Sequence, residues 1–154
     1  MDNNTANAFT EPTSDERLLA MLSHLSIFLG GIILPIILWA TQKDKSKFVS
    51  FHSLQAILYH LAFAVIIIAF VFFMVFVLLI SGIGLSGFAK SGQSGEMPVF
   101  MIIVMVILYG GIFLMAFSGV GYAIYLGIKS YQGKLIKIPV IGNYVYKKVY
   151  VGSN

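Results

Sequence analysis

Three histidines, His24, His52 and His60, together with Ser23 and Gln55, are the side chains of this chain best placed to do chemistry. Imidazoles suggest metal ligation or base catalysis. His52 and His60 stand eight residues apart, which is about 12 Å along a helix axis. They cannot share an ion unaided, and His24 would have to arrive from another segment. A two-histidine site would also lack the thiolate or carboxylate partners that usually complete one, and the chain has no cysteine. A nucleophilic serine needs a base held in place by a third group. No acidic residue lies in the apolar stretches that carry these histidines, and no H-E-x-x-H, G-x-S-x-G or phosphate-loop pattern is present. The residues therefore predict no catalytic site, no metal, no cofactor and no enzyme. They predict hydrogen bonds between helices, each contributing about 0.6 kcal/mol on average inside a membrane.

The elements that would position these groups are long and apolar. Leu18–Gln42, Phe48–Ala89 and Met97–Ile128 carry no charged residue except at their margins. At about 1.5 Å per residue each can cross a hydrocarbon core of roughly 30 Å. Hydrophobic residues make up 58% of the chain and charged ones 10%, far below the roughly 25% charged of a soluble domain. The fold class predicted is all-α, a polytopic membrane protein. Three spans are expected at about 18–41, 48–81 and 97–130 within a membrane domain over 14–131. A polar, disordered N-tail (1–13) precedes it, and a basic, aromatic, interfacial tail (132–154) follows. The N-tail lacks the basic start of a secretory signal, so the first span reads as an uncleaved anchor.

Local signals refine this outline. Thr13-Ser14-Asp15-Glu16 fits a capping box that opens the first helix. Pro35, after Gly30-Gly31, predicts a kink there, and Trp39 falls at an interfacial depth. The second helix is amphipathic at first, with His52, Gln55, Ala56, Tyr59 and His60 on one face, then apolar all round. Gly82-Ile83-Gly84-Leu85-Ser86-Gly87 matches G-x-G-x-x-G literally, but no strand precedes it, so it reads as a helix end and not a nucleotide loop. Pro98 suits the first turn of the third helix. Gly119, Ala123 and Gly127 recur every four residues, a small-residue row that lets a neighbouring helix, from this chain or another copy, approach closely. Gly110-Gly111 is expected to loosen the middle of that helix. Beyond Gly133, Pro139 blocks direct continuation, and Tyr144–Val151 reads as an amphipathic interfacial segment or, alternatively, a strand.

The net charge of +4 does not point to nucleic acid. Lys43, Lys45 and Lys47 follow the first stretch, and Lys129, Lys134, Lys137, Lys147 and Lys148 follow the last. Lysines in such places set topology and meet anionic lipid headgroups. With three spans these eight share one side, which places the N-terminus outside and the C-terminus in the cytoplasm of a bacterial inner membrane.

Several segments together carry a family resemblance: Glu16-Arg17 with His24-Leu25, Pro35 with Trp39, Phe48-Val49 with His52 and Gln55-Ala56, and Gly133 with Pro139. In this order they resemble a group of small prokaryotic membrane proteins of unknown function related to the TIC-twenty-like family, a chloroplast inner-envelope import component. The resemblance implies a helical membrane protein and no established activity. The function expected is an assembly or interaction component, partnered by the bilayer and by another copy or a different membrane protein. The alternative is a channel or transport component of a translocation system.

Overall fold

A computed structural model describes residues 11–29, 31–80, 86, 89 and 99–152. The G-x-G-x-x-G run, the loop after it, the start of the third long helix at Glu96 and Pro98, and most of the N-tail lie outside the described residues. Every regular element described is helical.

The first apolar stretch does not form one span. Helix α1, Ser14–Leu25, opens with the expected capping box. The Thr13 N–H donates to Glu16 Oε2 at 2.8 Å, and the Glu16 N–H donates to Thr13 Oγ1 at 3.3 Å. A 3₁₀ turn over Ser26–Phe28 ends it. The N–H groups of Leu29 and Gly31 both bond the Ser26 carbonyl, at 2.9 and 2.7 Å, and Gly31 adopts φ +64°, which glycine reaches without a Cβ penalty. Helix α2, Ile33–Gln42, then runs back. The break falls upstream of Pro35, which is the third residue of α2. There its missing N–H costs nothing, because the first four have no intrahelical partner, so the kink expected at Pro35 is absent.

α1 and α2 pack on each other as a hairpin. The Glu16 carboxylate takes a hydrogen bond from the Ser46 side chain, and in one straight helix those residues would stand about 45 Å apart. Neither piece has the roughly 20 residues a span requires. Among the described residues two helices are long and apolar enough to cross a membrane, not three. They are α3, Lys47–Ile80, and α4, Val99–Tyr131, close to the boundaries predicted for the second and third spans. The N-outside, C-inside assignment rested on three crossings and loses that basis.

The chain divides into two units. One comprises Met1–Leu61 with Gly121–Asn154. It holds nearly all the core described: Ala20, Val49, Phe51, Ala56, Ala123, Leu126 and Val145 are almost completely buried. α4 ends here in a Schellman motif. The Lys134 N–H bonds the Lys129 carbonyl, the Gly133 N–H bonds that of Ser130, and Gly133 has φ +76°. The chain then turns sharply at Pro139-Val140-Ile141. The Ile141 N–H reaches the Pro139 carbonyl at 2.8 Å across Val140, which has φ 66° and ψ −60°. A β-branched residue in such a γ-turn is strained, and Val140 is 88% exposed.

Helix α5, Ile141–Tyr146, and a π turn over Lys147–Val151 complete the tail. Helix, not strand, is therefore the answer at Tyr144–Val151. This tail does not lie apart: Val145 joins Phe51 and Leu54 in a cluster against which Trp39, Tyr146 and Tyr150 pack.

The other unit is Ala62–Val120. Phe72, Phe76, Leu79, Val106, Phe113 and Leu114 are exposed there, and Met101 is buried. Apolar side chains on all faces suit lipid. α4 passes through Gly110-Gly111 without a break, and Gly111 receives a ring: a Cβ there would stand 2.6 Å from Phe70 Cζ.

Candidate functional site: a polar seam between α1 and α3

The break after Leu25 decides which face α1 offers. Because α2 returns the chain, α1 runs parallel to the first turns of α3 and not antiparallel as one span would. Three polar pairs line up along that contact. Ser23 Oγ and Ser53 Oγ are 2.8 Å apart, His24 Nε2 and His52 Nδ1 3.1 Å, and Ser26 Oγ and His60 Nε2 2.9 Å. Ser23, His24, Ser26, His52 and Ser53 are buried almost completely. Expected bonding by Ser23, His24 and His60 between helices is thus present, and His24 pairs with His52 and not with His60.

Local backbone bonds fix several roles. Ser26 Oγ–H donates to the Ser23 carbonyl at 2.8 Å, so its oxygen accepts from His60 Nε2–H. His24 and His52 share one proton along their contact. The other two nitrogens, His24 Nδ1 and His52 Nε2, are buried. The Lys134 carbonyl faces His52, which favours the tautomers with the shared proton on His24 Nε2 and the second on His52 Nε2. His24 Nδ1 is then a buried acceptor left unmatched, at a cost of about 1–3 kcal/mol. No carboxylate orients either ring, and among the described residues no group of three or more His, Cys, Asp or Glu converges as metal ligands do. Three aromatic edges surround His52 instead: His24, Phe48 and Phe51, at ring-centroid distances of 5.3, 4.6 and 5.1 Å.

Gln55 does something different from its neighbours. Its Nε2 donates to the Ile136 carbonyl at 2.9 Å, and its Oε1 accepts from the Ile138 N–H at 3.0 Å. One amide thereby imitates a β-strand partner for the extended stretch before Pro139. Both ends of the amide are used and the side chain is fully buried.

The other residues singled out in the sequence surround this seam. Glu16 caps α1 and bonds Ser46. Arg17 donates from Nε to the Pro12 carbonyl at 2.9 Å, pairs with Glu11 at 3.6 Å, and lies over Gly133, where a Cβ would come 3.2 Å from Arg17 Nε. Pro35 is buried in α2, Trp39 packs on the tail cluster, and Pro139 begins the γ-turn. The small-residue row is filled within the chain. A Cβ on Gly127 would meet Leu25 Cγ at 3.2 Å, one on Gly119 would meet Phe63 Cε2 at 2.5 Å, and Ala123 is fully buried. Ser46, Ser53 and Val140 were not anticipated. The serines gave no periodic signal, and Val140 is a residue type that argues against the backbone it adopts.

Within the tail, Lys137 Nζ sits 3.7 Å from the Tyr146 ring centroid, a close cation–π contact. Burial pushes the Tyr150 hydroxyl up to about 12, helped by Tyr146 and Glu16. The Ser46 hydrogen bond holds the Glu16 carboxyl below its ordinary range.

Fold and seam define a helical membrane protein whose polar groups join its own segments. Residues 15–145 match the MamF/MmsF family, described as the magnetosome magnetite crystal formation protein family, and the chain belongs to it. No curated protein and no solved structure matches the chain. The family match overturns the TIC-twenty-like resemblance. The residues that suggested it are cap, seam and clamp positions, which a helical scaffold of this kind uses whatever its family.

Proposed function

We propose that this protein is a non-catalytic membrane component of magnetite crystal formation, acting by assembly with membrane partners or with further copies of itself. The family supplies the process. The observation that carries the non-catalytic reading is the use of the candidate chemical groups. Ser23, His24, Ser26, His52, Ser53, Gln55 and His60 are all committed to joining α1, α3 and the tail.

The orientation proposed places both chain ends in the cytoplasm. With two crossings, Arg17, Lys43, Lys45, Lys47, Lys129, Lys134, Lys137, Lys147 and Lys148 share one side, and Lys90 alone of the ten basic residues takes the other. The positive-inside rule favours that arrangement. It also sets these lysines against anionic headgroups, in the bacterial inner membrane or in the magnetosome membrane that the family description points to. A channel or transport role is the second reading, and no observation favours it. No Asp, Glu, Lys or Arg lies in 48–80 or 101–128, where a charged-solute pathway would normally place one.

The test is genetic. Deleting the gene in a magnetite-forming host should alter crystal size or number by electron microscopy, and a folded His52→Asn variant at normal level should restore the crystals. A folded, normally abundant His52→Asn protein that leaves crystal formation abolished would contradict the non-catalytic reading.

A further inference from the structure

We propose that the α1–α2 hairpin is a monotopic foot, with its apolar tip seated in the acyl chains of one leaflet and its open end among the headgroups. α1 has 12 residues and α2 has 10, about 18 and 15 Å of helix. Neither crosses a bilayer, and together they return to where they began. The tip is Phe28, Leu29 and Ile33, exposed by 60%, 61% and 64%. Ile36 and Ile37 continue that apolar face along α2. No charged residue occurs between Leu18 and Gln42.

Three observations identify lipid as the occupant. First, the level is right. The Ser26–His60 bond sets the tip beside His60, where the sequence of α3 turns continuously apolar from Leu61 onward, and Leu61 itself is exposed. Second, tyrosines gather at that depth: Tyr59 and Tyr122 are 5.9 Å apart, and Tyr122 stacks on Tyr125. Such amphipathic rings mark the boundary between headgroups and hydrocarbon. Third, polarity grades along the hairpin. The open end carries Asp15, Glu16, Arg17, Lys43, Asp44, Lys45 and Lys47, whereas the tip is apolar. The tip's backbone is also suited to lipid, because Leu29 and Gly31 both bond the Ser26 carbonyl and these N–H groups do not face hydrocarbon unpaired. Insertion of about 5–10 Å is the usual depth for such an element.

The chain has no cysteine, so the test can use single nitroxide labels on the full-length protein. Leu29→Cys, Ile33→Cys and Lys45→Cys are labelled and reconstituted into phosphatidylcholine–phosphatidylglycerol vesicles at high and low protein-to-lipid ratio. The expected result is that labels at residues 29 and 33 collide with oxygen several-fold more than with a water-soluble nickel chelate, whereas a label at residue 45 does the reverse, at both ratios. Because residues 29 and 33 are exposed, both variants should keep the wild-type unfolding temperature. Nickel-chelate access at residues 29 and 33 equal to that at 45 would overturn the proposal. So would shielding that appears at high protein density alone, which would identify a second copy as the occupant.

Discussion

Replacing Gln55 with leucine should release the C-terminal tail while leaving the membrane helices in place. Leucine preserves volume and apolarity but can make neither of the two clamp bonds, which measure 2.9 and 3.0 Å. A net contribution of about 1 kcal/mol per bond is typical, and a buried N–H left without a partner costs roughly 1–3 kcal/mol more. Ile138, whose N–H is the stranded donor, is 6% exposed, so water does not readily replace the lost amide. The expected loss is about 3 kcal/mol, which raises the fraction of molecules with an open tail roughly a hundredfold.

Two readouts follow from the packing. Trp39, the one tryptophan in the chain, lies against the cluster that Val145 completes, so its emission should shift red at a lower temperature than in wild type. Trypsin should cleave at Lys134, Lys137, Lys147 or Lys148 much faster, because proteolysis of an opening segment follows the open population. Gln55→Glu should fall between the two, since a carboxylate can accept from Ile138 but cannot donate to Ile136. If Gln55→Leu unfolds with wild type and resists trypsin equally, the amide does not hold the tail and the clamp argument fails.

Other consequences can be checked on the same material. His24→Leu and His52→Leu should each destabilise, and the double variant should cost less than their sum by about 1–2 kcal/mol in a double-mutant cycle, because each single change strands the other ring. Gly119→Leu should lower the unfolding temperature in detergent without changing oligomeric size, since Phe63 of the same chain occupies that groove. Phe63→Ala should recover part of that loss, and Ile102→Leu should be near neutral. Tyr150, pushed up to about 12 from an ordinary 10, favours its neutral form in the folded protein. Its stabilisation is complete below pH 10 and fades as pH rises from 10 toward 12. Absorbance of ionised tyrosine and alkaline melts should show this step, and Tyr150→Phe should remove it.

What could be read from residues alone divides by physical cause. α3 and α4 were legible because lipid imposes an unbroken apolar run, and the capping box at Thr13 was legible because it is local. The broken first stretch was not. Leu18–Gln42 has the length and polarity of a span, and Gly30-Gly31 followed by Pro35 suits either a kink or a reversal. The deciding contact, Glu16 with Ser46, joins residues thirty apart. The parallel alignment of α1 and α3 depends on that reversal, so the His24–His52 pair was out of reach even though both histidines were singled out. Gln55 was placed correctly on a polar face, yet its partners lie more than eighty residues along the chain. The tail misled in another way. Tyr, Lys and Val in alternation suit an interface, a strand or a packed helix equally, and the burial of Val145 on Phe51 decides between them.

The membrane arrangement depends most heavily on the first apolar stretch turning back instead of crossing. Ser14→Cys, Ala89→Cys and Lys148→Cys, each in the cysteine-free chain, can be probed in sealed inside-out and right-side-out vesicles with a membrane-impermeant maleimide. The expected result is that residues 14 and 148 react from the same, cytoplasmic side and residue 89 from the opposite one. Reaction of residues 14 and 148 from opposite faces would mean three crossings, and would contradict the hairpin, the orientation and the foot together.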